Sequence, residues 1–337
     1  MKVSVVIPAY NAENTISQAV AQSLAQAKGP MEVEVVVVDD GSIDDTAMVA
    51  ESAGAKVIRQ ENAGPAAARN RGWERATGQV ICFTDSDCIP AAGWLENLLD
   101  GFTGRQVGAV AGSYAIANTN SWLAQWVHQE ISERHKRMPS FVRAFGSYNV
   151  AIPLYVLQAT GGFDADYRQA SGEDNDLSYR ISRMGWRIAF RPQAKVAHYH
   201  PERVWQYLME QYRHGFWRAK LYKDHPDMVR GDDYTRLRDR LEPIIVLGIF
   251  ASALLAMFGI SASMWPLLVL LGSYTAIHLS WPMSWWLGEG KVGAFAYAGV
   301  TFLRGIARTA GLCTGIIRFG VQPAYRKHRR EHQESQP

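Results

Sequence analysis

With only three cysteines in 337 residues, Cys82, Cys88 and Cys313, the chain has neither an even set for a disulfide framework nor the Cys-x-x-Cys spacing of a metal cluster. A reducing compartment follows, and Cys82 and Cys88 read as small buried packing residues. Charge of one sign is equally scarce. The net charge is +3, and the first two thirds of the chain hold no basic stripe interleaved with aromatics, which argues against a nucleic-acid partner. No long apolar run opens the chain: Val3 to Ile7 closes at Pro8 without a small-residue cleavage site, so the N-terminus is expected in the cytoplasm. That run leads into Pro8-Ala9-Tyr10-Asn11-Ala12 with no glycine-rich turn. A pyrophosphate could not approach the following helix closely, which excludes a dinucleotide-binding oxidoreductase.

What is present is a βαβ rhythm. Val3 to Ile7, Val33 to Val38, Lys56 to Ile58 and Val80 to Phe83 have the continuous apolar character of buried parallel strands. Helical patterns over Asn14 to Ala27, Asp45 to Ala53 and Pro65 to Ala76 separate them, the last with proline in its first turn. A doubly wound, mostly parallel sheet binds ligands beyond the carboxyl ends of its strands. The polar residues of this half fall there: Tyr10, Asn11 and Glu13, then Asp39, Asp40 and Ser42, then Gln60 and Asn62, then Asp85-Ser86-Asp87. Alternate residues of an extended chain share a side, so Asp85 and Asp87 converge just past the fourth strand. Oxygen donors of this kind suit a hard divalent cation whose remaining ligands are water and substrate phosphates.

Five blocks in order, Ser4-Val-Val-Ile-Pro-Ala-Tyr-Asn11, Val38-Asp-Asp-Gly-Ser42, Asn62-x-Gly64 with Ala68-Arg-Asn-x-Gly72, Phe83-x-Asp-x-Asp-Cys-x-Pro90 and Gly172-Glu-Asp-x-Asp-Leu177, resemble the motifs of family 2 glycosyltransferases. The resemblance covers roughly residues 2 to 220. It implies a GT-A fold, a nucleoside-diphosphate sugar as donor, Mn2+ or Mg2+ as cofactor, and transfer with inversion at the anomeric carbon.

The resemblance also assigns roles. Asp39 reads the nucleotide base, a carboxylate accepting from a ring N–H; locally the same residue can cap the following turn. Pro8, Ala9, Tyr10 and Glu13 wall the nucleoside pocket, with Asn62 beside them, and Arg69 reaches the nucleotide. Asp85 and Ser86 meet the sugar nucleotide, Asp85 with ribose and metal. Asp87 is expected as the direct metal ligand. An inverting transfer needs a general base on the acceptor hydroxyl; Asp174 is expected in that role with Glu173 in support, although acids at a helix N-terminus are also favoured by the dipole. His198 or His200 would join the metal shell, His200 being the choice made here, and Arg213 would stabilise the diphosphate leaving group. Processive relatives carry Gln-x-x-Arg-Trp, whereas this chain has Gln211-Tyr-Arg-His-Gly-Phe-Trp217, so one sugar is expected per acceptor.

The last third changes character. Pro243 to Ile260 is uncharged, and Trp265 to Trp281 is apolar apart from Ser, Tyr, Thr and His278. At about 1.5 Å per residue each just spans a hydrocarbon core of roughly 30 Å, which predicts a transmembrane hairpin. Trp265, Trp281, Trp285 and Trp286 suit an aromatic belt. Arg236, Arg238 and Arg240 before the hairpin, and Lys291, Arg304 and Arg308 after it, put both ends in the cytoplasm by the positive-inside rule. Residues 292–319 read as an interfacial amphipathic helix, with a third span as the alternative. The basic tail 321–337, with Arg326 to Arg330, suits anionic headgroups. The expected organisation is therefore 1–110 for the nucleotide sugar, 111–235 for the acceptor and catalysis, and 236–320 for the membrane. This describes a multi-pass inner-membrane enzyme with its catalytic domain on the cytoplasmic face, acting on a lipid-linked or envelope-glycan acceptor. The other readings weighed are a nucleotidyltransferase, for which residues 9–14 lack a basic triphosphate loop, and an inactive sugar-nucleotide or lipid-binding scaffold.

Overall fold

The computed structural model describes residues 1–230, 233, 235, 237–260, 264–289 and 293–321. Residues 261–263, Arg236, Lys291 and the basic run 326–330 lie outside the described residues, as do the side chains of Arg238, Trp281, Trp285 and Trp286. Two compact units emerge, one essentially Met1–Glu202 and the other beginning at Arg203.

The first unit is built on a mixed sheet. Strands β1 (Lys2–Ala9), β2 (Glu32–Asp39), β3 (Lys56–Arg59) and β4 (Val80–Thr84) alternate with helices α1 (Ile16–Leu24), α2 (Thr46–Ser52) and α3 (Pro65–Arg75). Then follow β5 (Cys88–Pro90), α4 (Trp94–Leu99), β6 (Val107–Ile116), α5 (Trp122–His135), β7 (Phe141–Val142), β8 (Asn149–Pro153), α6 (Leu154–Thr160), α7 (Glu173–Arg183) and β9 (Arg187–His198). The strand order is β3-β2-β1-β4-β8-β6-β9-β5, with β7 on β9. Strands β1 to β4 pair in parallel, as their unbroken apolar runs require, because both faces are covered. Val3, Val5 and Ile7 pack with Ile16, Ala19 and Val20 on one face, while Val6, Val36 and Val38 pack with Ala66 and Ala68 on the other. The expected helices are shorter than their patterns by one to three residues at most ends.

The chain order reverses at β1, flanked by β2 on one side and β4 on the other. Such a switch point opens a crevice at the strand ends, and it fixes where the acidic residues after β2 and β4 emerge. Val110, at the expected boundary between the two halves of the domain, lies inside β6 and pairs with both Ala151 and Ala189, so one sheet runs through both.

The second unit is helical: α8 (Val204–Asp224), a short 3-10 turn at Pro226–Arg230, α9 (Leu237–Met257), α10 (Trp265–Glu289) and α11 (Gly293–Val321). It starts with α8, which falls within the stretch 111–235 expected to serve the acceptor. The reason is glycine. A Cβ on Gly215 of α8 would stand 2.0 Å from the Arg308 carbonyl oxygen, and one on Gly311 of α11 would stand 2.0 Å from that of Tyr212. Gly315 would meet the Phe216 carbonyl oxygen at 2.3 Å. The two backbones therefore touch along a seam that side chains would prise apart. Polar pairs complete it: Arg308 Nε donates to Gln211 Oε1 at 2.8 Å and Arg304 donates to the Tyr207 hydroxyl at 3.1 Å. Among the described residues, two helices are long and apolar enough to cross a membrane, Asp239–Met257 and Gly293–Gly320; the apolar stretch of α10, Trp265–Leu279, is shorter.

Candidate active site

The first two loops past the sheet edge are stitched together. Asn11, at φ +50°, donates its backbone N–H to Ser42 Oγ at 2.9 Å and accepts from the Ile43 N–H at 3.0 Å. Glu13 accepts from the Asp45 N–H at 3.2 Å, and the Ala12 N–H donates to Thr46 Oγ1 at 2.7 Å. Glu13, expected as a pocket wall, is thus exposed and spent on the loop. Pro8 and Ala9 are buried, Ala9 within the core under α1, so of the expected walls Tyr10, 52% exposed, is the one that offers a surface. Asp39 is buried and accepts from the Ser42 N–H at 3.0 Å, which is the turn-capping use the sequence also allowed.

Its neighbour Asp40, in sequence only one of the polar residues past β2, gathers the next loop. Its carboxylate accepts from Gln60 Nε2 at 2.7 Å, the Ala63 N–H at 2.8 Å and the Gly64 N–H at 2.9 Å, and its carbonyl accepts from Asn62 Nδ2 at 3.0 Å. Asn62 is therefore engaged in shaping this loop.

Arg69 is held between protein partners. It is 2% exposed on α3 and forks between two carboxylates, Asp85 Oδ1 at 2.7 Å and Glu173 Oε1 at 2.9 Å. Burial opposes its charge, but Asp85 and Glu173 more than offset that and raise its pKa. A guanidinium suits this because its planar fork can serve two acceptors at once. Asn70 beside it exchanges two hydrogen bonds with the Phe163 backbone, at 2.7 and 2.8 Å. Gly162, at φ +72°, has to be glycine there, since a Cβ would lie 2.5 Å from Asn70 Oδ1. These ties carry α7 to the sheet edge.

The three acids opening α7 separate by partner. Asp176 is buried and paired with Arg180 at 2.6 Å, and Arg180 also donates to the Thr160 and Gly162 carbonyls. Glu173 is 2% exposed and held by Arg69; burial first and Asp174 next push its carboxyl up to about 7, against the pull of the arginine. Asp174 is partly buried, and its Oδ1 accepts from the Asn175 backbone and side chain at 2.7 and 3.1 Å. Its charge acts on both Arg69 and Glu173, which puts it at the same edge.

Asp85 and Asp87 both emerge past β4 with Ser86 partly buried between them. Asp87, Cys88 and His198 hold ligand atoms within 4.8 Å of one another, with His198 Nε2 3.5 Å from Asp87 Oδ2. Protein surrounds Asp87 in the crevice while 42% of its side chain still meets solvent; burial and then Asp85 hold its carboxyl above the usual range, against His198. Crowded carboxylates of this kind are relieved by a dication, so the donor set fits a hard metal ion. Cys88 fits less well as a ligand, because burial and the two aspartates keep it a thiol.

His200 does not take the place expected of it. It is buried, its Nδ1 lies 3.2 Å from His198 Nδ1, and burial lowers its pKa to about 3. His198, at the end of β9, is the histidine that faces Asp87. The backbone decides this: Asn118 clamps His200 through its N–H at 3.0 Å and its carbonyl at 2.7 Å. Arg213 lies exposed on α8 in the helical unit.

A reversed strand order with acidic loops at its switch point and an antiparallel extension beyond it defines a GT-A domain followed by a helical module. Residues 4–162 match the family model described as Glycosyl transferase family 2, and the chain belongs to that family. Among curated relatives, the pre-mycofactocin glycosyltransferase of Mycobacterium tuberculosis is 30% identical over 236 residues, 67% of this chain and 48% of that protein. The glycosyltransferase AglE of Haloferax volcanii is 28% identical, covering 63% and 71%. The UDP-Glc:alpha-D-GlcNAc-diphosphoundecaprenol beta-1,3-glucosyltransferase WfgD of Escherichia coli is 35% identical over 129 residues, 37% and 50%. The chain spans about half the length of most of these relatives. In fold it is similar to a mannosyltransferase from Pyrobaculum calidifontis in complex with GDP-Man and Mn2+, with a TM-score of 0.58, 20% identity, and 93% and 86% of the two chains covered.

Proposed function

We propose that the protein transfers one sugar from a nucleoside-diphosphate sugar to a hydroxyl of a membrane-associated acceptor, by single displacement with inversion. The observation that carries this is the convergence of Asp85, Asp87, Glu173 and Asp174 at the β1/β4 switch point, with Arg69 joining the loop after β4 to α7. The family and the relatives that act on sugars support it.

Asp39 and Tyr10 would bind the nucleoside in the crevice above β1 and β2. Asp87 and His198, with Asp85, would hold Mn2+ or Mg2+, which supplies charge neutralisation for the diphosphate as the glycosidic bond breaks. On the opposite side, Asp174 takes the proton of the acceptor hydroxyl while that oxygen forms its bond to the anomeric carbon. The electron pair of the old bond leaves with the diphosphate, so the sugar inverts and the proton rests on Asp174. Glu173, largely neutralised by Arg69 and by its own raised pKa, leaves Asp174 as the carboxylate to act. Base catalysis of this type contributes about 10²–10⁴-fold.

A membrane-linked acceptor is supported by the two helices long enough to span and by the diphosphoundecaprenol in the name of one relative. It implies a catalytic unit on the cytoplasmic face, where nucleotide sugars are made. The deciding experiment is binding and hydrolysis of a panel of UDP-, GDP- and dTDP-sugars with Mn2+ or Mg2+, alongside Asp87→Ala. Metal-dependent selection of one donor, lost in the variant, is the expected result; binding of none would refute the reading.

A further inference from the structure

Behind Asp87 the catalytic unit holds three imidazoles in a line. His198 Nε2 is 3.5 Å from Asp87 Oδ2, His198 Nδ1 is 3.2 Å from His200 Nδ1, and His200 Nε2 is 3.4 Å from His128 Nδ1 on α5. Each ring uses one nitrogen toward each neighbour, so the line is continuous from the aspartate to α5. Its first two rings are held in place. Asn118 clamps the His200 backbone on both sides, the Tyr199 N–H donates to the Asp87 carbonyl at 3.3 Å, and the Tyr114 ring packs on His198 and His200 with centroids 5.0 and 5.6 Å away.

A neutral imidazole has one donor and one acceptor nitrogen, so each N···N contact needs a hydrogen on one side only. Three neutral rings in series then have two consistent arrangements. In one, His198 Nε2–H points to Asp87, and His200 Nδ1–H and His128 Nδ1–H donate back along the line. In the other, every hydrogen moves one position: His198 Nδ1–H donates to His200, His200 Nε2–H donates to His128, and His128 carries its hydrogen on Nε2. Only the second leaves a lone pair on His198 Nε2 for a cation. The exchange balances: the Nε2 hydrogen of His198 leaves as a proton to water, two hydrogens shift along the line, and His128, partly exposed, takes a proton from water.

We infer that His200 and His128 are positioning residues for the metal: they form a tautomer line that switches as one when a divalent cation binds, presenting the lone pair of His198 beside Asp87. This rests on the divalent-metal part of the function proposed above. It gives His128, 70 residues from His198 in sequence, a role in cation affinity although it does not reach the ion.

The test uses the full chain in detergent. Long-range 1H–15N spectra of the 15N-histidine-labelled protein, recorded with and without Mg2+, should show His128 and His200 changing from Nδ1–H to Nε2–H together, and Mn2+ titration followed by electron paramagnetic resonance should weaken about 10–100-fold in His128→Phe. Unchanged tautomers in a wild-type protein that binds Mn2+, or unchanged Mn2+ affinity in a folded His128→Phe, overturns the inference. If that variant does not fold, the wild-type spectra decide alone. Wild-type protein that binds no Mn2+, or binds it equally in Asp87→Ala, refutes the metal reading itself and this one with it.

Discussion

Replacing Arg69 with methionine isolates the tie between the two sides of the site. The side chain is buried, and its loss strands Glu173, also 2% exposed, without its cationic partner. Breaking a buried pair from one side costs about 3–5 kcal/mol, because the remaining charge has nowhere to go. Asp85, 31% exposed, recovers most of its loss from water, so Glu173 dominates. At about 2–4 °C per kcal/mol for a unit of this size, thermal unfolding followed by intrinsic fluorescence should shift down by about 6–20 °C. The loss should be smaller at about pH 6 than at about pH 8.5, since Glu173 can take up a proton, and each pH unit above its pKa adds up to about 1.4 kcal/mol. Glu173→Gln placed on top of Arg69→Met should recover most of the loss. A shift under about 2 °C, or no recovery in the double variant, would refute the argument that Arg69 holds α7 through charge.

Asp174→Asn should lower kcat by about 10²–10⁴-fold with donor KM unchanged in steady-state transfer assays, and Asp174→Glu should not restore it fully, since the reach differs. With divalent ions chelated, Glu173 should make the wild type less stable as pH rises: its folded pKa of about 7 exceeds the ordinary 4.5, the folded state binds the proton more tightly, and that stability is lost through this window. Denaturant titrations across that range should show the slope, and Glu173→Gln should flatten it. Gly311→Val should separate α8 from α11, because its Cβ would strike the Tyr212 carbonyl; enhanced proteolysis of the helical unit, with donor binding retained, is the expected readout.

The parallel half of the sheet was legible because strands covered on both faces are written as continuous Val and Ile runs, and the Asp85–Asp87 pair because it follows one of them directly. The antiparallel additions were not, since β5, β7 and β8 are two to five residues long and pair with partners far away in the chain. Adjacent acids posed a second limit. Nothing local says that Asp40 rather than Asp39 gathers the donors of the next loop, because that depends on where Gln60 and Gly64 arrive. Arg69 pairs with a carboxylate 104 residues away, a distance at which sequence pattern carries no information. Between His198 and His200 the local pattern does not choose, and the clamp by Asn118 that sorts them comes from another segment. The pairing of Gly215 with Gly311 and Gly315 is not legible either, because close approach takes two surfaces and a sequence displays one at a time.

The seam between α8 and α11 also determines where this chain is free to vary. At Gly215, Gly311 and Gly315 the constraint is the absence of any side chain, so not even a methyl group is an acceptable replacement without moving a helix. The outward faces are the reverse. Ile244, Leu247, Phe250 and Leu254 on α9, with Ile316 and Ile317 on α11, are all largely exposed apolar residues whose exchange for one another disturbs no internal partner. Drift in the helical module should therefore run along its rim while its axis stays fixed, which makes the rim the place to retune what these helices meet without touching the seam.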